Sequence, residues 1–381
     1  MAHRVFLHLG LPKTATTYLQ RILWSHQAEL REIGMLLPGE ARREHLWVSR
    51  TIRGEERAES MNAWQRGAWD RIREEIAAWD GDAVISHEFF AAASAEQAAG
   101  MIAALAPAEV HVVVTAREPL GLFAASWQES LKNRGVEPMA DYGREVSESP
   151  LDIWNWRTLD LGLVLDRWAP EGGAVPAERV HVLPLPGDDH PRETIWHRLA
   201  GVLGVDTIEV DLSQHFPNES MGVVEAETLR RVNAHLGSFT KAIDRGTFIR
   251  TFLADERLVP RRGERFWPGD EQVEDCRRRG RAAVDLIAAR GFDVVGSVDD
   301  LLVPADLAER RHPDSVTDTE VAEVAVELVG TMLGDVRTLR QERRALREAM
   351  PPLQAELTRL QTTPAWRIQA QRIKARLRRT P

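Results

Sequence analysis

The chain has 381 residues, 43% of them hydrophobic and 28% charged, with 26 glycines and 20 prolines; this profile belongs to a folded globular protein and excludes collagen, fibre and wholesale disorder. A formal charge of −9 argues against a nucleic-acid partner, and the single cysteine, Cys276, excludes an internal disulfide and a thiolate zinc cage. No stretch reaches the roughly 18 unbroken apolar residues of a membrane helix, and the opening MAHRVFLHLG runs into a motif rather than a leader cleavage site, so a cytoplasmic protein is expected.

In chain order, residues 4–9 (RVFLHL) read as a short apolar strand, GLPKTATT as a compact turn, and 18–30 as an amphipathic helix. A helix over 63–79 precedes a buried strand at 83–86 (AVIS), HEFF at its exit and a helix over 95–105. The β-branched run 110–115 (VHVVVT) is the strongest strand of the sequence and leads through AREPLG into a helix over 123–133. A helix over 153–168, a fourth strand at 179–184 (RVHVLP) and helices over 194–203, 225–236 and 271–290 follow, with a Pro/Gly-punctuated basic loop before the last. Strands alternating with helices predict a three-layer α/β/α fold around a central parallel sheet, with ligands beyond the carboxyl ends of the strands.

Residues 1–312 are expected to form this α/β domain, 313–350 a long amphipathic helix offering an oligomer contact, and 351–381 a basic tail. From 357 onward the chain has seven cations (Arg359, Arg367, Arg372, Lys374, Arg376, Arg378, Arg379) and no acid. This suits an anionic membrane surface or an acidic partner, or is a solvated terminus.

The turn Gly10–Thr17 lies between a strand and a helix, where small and hydroxylated residues let backbone N–H groups converge on an anion. Lys13 adds a cation, and Thr16 and Thr17 add hydroxyl donors. The Walker pattern GxxxxGK[ST] is not met, which weighs against a P-loop ATPase, GTPase or phosphotransferase.

GLPKTATTYLQ resembles the 5′-phosphosulfate loop, PKxGTT, of sulfotransferases that use 3′-phosphoadenosine 5′-phosphosulfate. The resemblance implies a P-loop-like fold, that nucleotide as co-substrate, no metal, and Pro12, Lys13, Thr14, Ala15, Thr16 and Thr17 around the 5′-phosphate. Ala15 stands where glycine is usual, tolerable at negative φ. The family's second signature, a strand-end Arg followed by a helical Ser on the 3′-phosphate, maps onto Arg117 and Ser126 in VVVTAREPLGLFAAS; the offset is nine residues where eight is usual. A late basic loop maps onto Arg261, Arg262 and Gly263. The similarity spans most of residues 4–300.

Sulfuryl transfer needs charge stabilisation on the departing phosphate oxygen, assigned to Lys13, and a base for the acceptor proton. His87 and Glu88, at the end of AVIS, are the leading alternatives, with Asp141 or His45 behind them. The histidines show no HExxH or other paired metal spacing, and Trp24, Trp127 and Trp156 read as core rather than as stacking platforms. The acceptor implied is a hydroxyl of a glycan, glycolipid or secondary metabolite. Other readings are a P-loop phosphotransferase and a catalytically inactive nucleotide-binding scaffold.

Overall fold

The structure, a computed structural model, describes residues 1–55, 61–187, 190–191, 193–210 and 220–362. The chain divides into Met1–Thr317 and Asp318–Pro381. The junction falls a few residues after the expected 312, because the turn Pro313–Ser315 and the buried Val316 belong to the first unit.

Six strands form one all-parallel sheet: β1 (Arg4–His8), β2 (Met35–Leu36), β3 (Asp82–Ser86), β4 (Glu109–Ala116), β5 (Val180–Pro184) and β6 (Asp293–Val294), in the order β2-β3-β1-β4-β5-β6. The four expected strands are the inner ones. The two additional edge strands have only two residues each, too few for any hydrophobic period to show.

Side chains alternate across the sheet, and both faces are covered, which is why the inner strands read as nearly continuous apolar runs. On one face Phe6, Val84, Val113 and Leu183 pack against Leu19 and Leu23 of the helix Thr16–Ser25 and Ile195 and Leu199 of the helix Thr194–Leu203. On the other, Val5, Leu7, Ile85, Val112 and Val114 are fully buried.

Several helices differ from the periodicity. The expected 18–30 helix is two pieces, Thr16–Ser25 and Gln27–Glu32, parted at His26. The expected 153–168 helix is broken at Asp160, whose carboxylate accepts from Leu163 N and so starts a new helix. The helix after β4 begins earlier than expected, at Pro119, because Glu118 caps it through Gly121 N at 2.8 and 2.9 Å. A wide-turn π-type helix, Arg245–Leu258, occupies part of the region read as loop.

Among its described residues the second unit is one helix, Asp318–Thr362, which carries on through Pro351 and Pro352 where the sequence reading stopped it. Most of the expected basic tail, 363–381, lies outside the described residues. No described helix is long and apolar enough to cross a membrane.

β1 and β4 are neighbours whose onward connections leave toward opposite edges of the sheet, so a topological switch point lies at their carboxyl ends. Gly10 sits there at φ +54°, where a Cβ would stand 2.1 Å from Thr16 Cγ2 and 2.8 Å from Thr115 Oγ1. Gly10→Ala is expected to lower stability by about 2–4 kcal/mol through overpacking and a disfavoured φ, measured by urea unfolding; an unchanged midpoint would contradict the close approach.

Candidate functional site

One face of the sheet ends in a polar layer. His8, Ser86 and Thr115 come from the carboxyl ends of the adjacent strands β1, β3 and β4, above the apolar Phe6, Val84 and Val113. His8 Nδ1 lies 2.8 Å from Ser86 Oγ, His8 Nε2 3.3 Å from Thr115 Oγ1, and Thr115 Oγ1 2.8 Å from Thr14 Oγ1; Thr14 in turn donates to Leu11 O at 2.6 Å. All four side chains are buried. Because Thr14 spends its proton on Leu11, it accepts from Thr115, which accepts from His8 Nε2–H, and Ser86 donates to His8 Nδ1. A neutral His8 satisfies this chain, and burial holds its pKa down to about 4.

Hydrogen bonds from Leu9 N to Val113 O and from Leu11 N to Thr115 O continue the β1–β4 pairing into the loop. Beyond it Lys13 (φ 69°) and Ala15 (φ 61°) adopt left-handed conformations, and Thr14 between them does not. The negative φ at which a methyl group would be tolerated is therefore not found at Ala15. The alternation shapes a backbone nest that opens onto the helix Thr16–Ser25, whose start has no side-chain cap and no acidic residue in its first turn. Pro12 and Thr16 are buried, Ala15 is half-buried, and Lys13 and Thr17 face outward.

The Lys13 ammonium lies 3.2 Å from Glu129 Oε2 on the helix Pro119–Lys132, and Arg250 of the π-type helix pairs with the other oxygen. Burial alone would raise the Glu129 carboxyl; Lys13, Arg250 and Lys132 outweigh it and hold it below its usual range. Neither Glu129 nor Arg250 carried a motif. Arg117 leaves β4 at the neighbouring strand end, 3.4 Å from Glu118 and partly exposed, folded over Gly121, where a Cβ would lie 2.6 Å from Nη2.

Ser126 does not meet the phosphate expectation. It is fully buried, 2.6 Å from Tyr142 Oη, which itself donates to Trp154 O. The ninth position after Arg117 turns into the core, and the half-exposed eighth position is Ala125, which has no hydroxyl. Arg261 pairs with Glu225 at 3.2 Å, Arg262 is left-handed at φ 52°, and Gly263 leaves no room for a Cβ beside Glu225 Oε2. This loop meets the helix Pro119–Lys132 through Phe266, edge-on to Trp127. Trp127 and Trp156 are core residues, as read.

At the end of β3, His87 N bonds to His8 O, and His87 Nδ1 accepts from Phe89 N at 3.1 Å, which leaves the ring proton on Nε2. Burial pushes the His87 pKa down, against the pull of Glu88. Glu88, somewhat more exposed, accepts from Gln20 Nε2 at 3.1 Å and lies 3.8 Å from His87 Nδ1. Gln20 sits on the loop helix, so Glu88 is tied to the same frame as the nest. His45 is structural: it accepts from Ser86 N and lies 3.0 Å from Pro38 O, with its pKa lowered to about 4 by burial.

A recess of about 260 Å³ lined by Gln27, Arg31, Gly39 and Glu75 lies past the far end of the loop helix and brings no reactive group to the nest. Among the described residues no group of His, Cys, Asp and Glu is placed to hold a metal ion. Comparisons with family models, curated proteins and solved structures gave no match.

Ala15→Gly removes a left-handed penalty of about 1 kcal/mol and is expected to raise the unfolding free energy by that order; a loss of stability would show that Ala15 is not left-handed. The pH dependence follows from His8 and His45. Their folded pKa values near 4 lie below the ordinary 6.5, so the unfolded chain takes up protons first. Their contribution is fully present above pH 6.5 and is lost as pH falls toward 4, up to about 3 kcal/mol per ring. Urea midpoints should fall over that interval, and less steeply for His8→Asn than for the parent.

Proposed function

We propose that the chain is a sulfotransferase, moving a sulfuryl group from 3′-phosphoadenosine 5′-phosphosulfate to a hydroxyl of a glycan, glycolipid or secondary metabolite. The observation that carries this reading is the nest itself. A strained loop bearing Lys13 opens onto an uncapped helix start at the sheet's switch point, with Arg117 at the next strand end. Left-handed non-glycine residues are costly and cluster at functional sites, and the loop offers amides and a cation to a dianion.

In this reading the amides of the loop and the Thr16 and Thr17 hydroxyls receive the 5′-phosphate, and Arg117 contributes to the 3′-phosphate. Lys13 exchanges Glu129 for the bridging oxygen on which charge grows. The acceptor oxygen forms its bond to sulfur as the bond from sulfur to the phosphate oxygen breaks, leaving a sulfate ester and adenosine 3′,5′-bisphosphate. Glu88 is the better base of the two alternatives. The Nδ1 lone pair of His87 is occupied by Phe89 N–H and its Nε2 carries the proton, whereas Glu88 is a partly exposed carboxylate oriented by Gln20. His87 then serves as the cap of the turn Glu88–Ala92.

The test is ligand preference followed by turnover. Adenosine 3′,5′-bisphosphate should raise the melting temperature; stabilisation by magnesium ATP with none by the bisphosphate would overturn the reading in favour of a phosphotransferase. With labelled donor and a panel of hydroxyl acceptors, Lys13→Ala should lose roughly 10²–10³-fold in kcat while still binding the bisphosphate. Glu88→Gln should lose at least about 10²-fold, and His87→Asn distinctly less. Bisphosphate binding with no transfer to any acceptor would favour the inactive nucleotide-binding scaffold.

A further inference from the structure

The helix Asp318–Thr362 carries a second pattern, independent of the nest. From Val329 onward apolar residues recur at alternating spacings of three and four. Setting Val329 as position a of a heptad puts Val336, Met350 and Leu357 at later a positions, and Met332, Leu339, Leu346 and Leu353 at d. These side chains are exposed, Leu339 at 62% and Leu346 at 66%. A seam of this kind, sustained over more than four heptads, is the pattern that drives supercoiling of one helix on another.

We propose that this segment pairs with the same segment of a second copy of the chain, as a parallel two-stranded coiled coil. Two observations choose the occupant and its direction. The flanking charges are self-complementary only in the parallel arrangement. Asp335 and Glu342 occupy g, Arg340 and Arg347 occupy e, and in a parallel pair each g residue faces the e residue five positions on in the other strand. Asp335 then meets Arg340 of the second copy, and Glu342 meets Arg347. An antiparallel pair would set g against g and e against e, acid on acid and Arg on Arg.

The seam composition selects two strands. Valine at the first two a positions with leucine at most d positions is the dimer preference. Arg343 is the one charged seam residue, at a, where a polar residue fixes register at some cost in affinity. Pro351 and Pro352 fall at b and c, which face away from the seam, so they remove backbone hydrogen bonds without interrupting it.

Sedimentation equilibrium on the full chain should give twice the 42.9 kDa chain mass at micromolar concentration; a monomer at tens of micromolar, or a trimer, overturns the proposal. Leu339→Asp with Leu346→Asp should give a monomer whose first unit melts as in the parent, since both side chains are exposed in the single chain. Arg340→Glu with Arg347→Glu should weaken self-association at least about tenfold, and mixing with Asp335→Arg, Glu342→Arg should restore a heterodimer. Arg343→Leu should tighten it. Met332→Cys should cross-link to itself under mild oxidation, since the native Cys276 is buried; failure to cross-link while still dimeric would show an antiparallel pair and overturn the stated direction.

Discussion

A one-directional chain of buried hydrogen bonds, Ser86 to His8 to Thr115 to Thr14 to the carbonyl of Leu11, is the constraint on which the rest of the first unit depends. Each hydroxyl in it has a single proton to give, so every bond specifies the next, and an uncompensated group in such a layer costs more than the bond itself contributes. The chain joins three strands to the loop that follows β1, and Gly10 lets the loop approach β4 within van der Waals contact. Two left-handed non-glycine residues, one on each side of Thr14, would otherwise relax. Held in this way, Lys13 and Ala15 keep their left-handed conformations at the start of the loop helix.

The cations beside that loop are paired within the protein itself. Lys13 and Arg250 share Glu129, and Arg117, at the neighbouring strand end, lies on Glu118. Under the proposed reading an anion at this loop would exchange partners rather than meet bare charge, which would lower the net gain per contact, while the pairing keeps partly buried cations from standing uncompensated. Glu129 gives this exchange its geometry, since it joins the loop after β1 to the helix after β4 and to a segment more than a hundred residues farther along.

The second unit follows a different logic. Its helix has no core of its own, and its information lies along one dimension: the spacing of apolar residues and the sign of the charges beside them. That pattern can be read without knowing where the first unit lies, and it is the basis for the coiled-coil pairing proposed above.

The alternation of strand and helix, the four inner strands, the loop with its lysine after β1 and the strand-end position of Arg117 were all legible in the sequence, because each rests on neighbours within about ten residues. Even the polar layer left a trace, since RVFLHL, AVIS and VVVT each carry one polar residue near the carboxyl end, on what proves to be a common face. The role of Ser126 was not legible: one residue of offset on a helix is about 100°, and only the packing of Tyr142 decides which way that turns. Glu129 and Arg250 were invisible for the same reason, being ordinary charged residues until the fold brings them to Lys13. The sequence by itself determined the inner strands, their alternation with helices and the side chains carried by the loop after β1. Tertiary structure decided which side chains share a hydrogen bond, because that depends on distances between segments that no local pattern encodes.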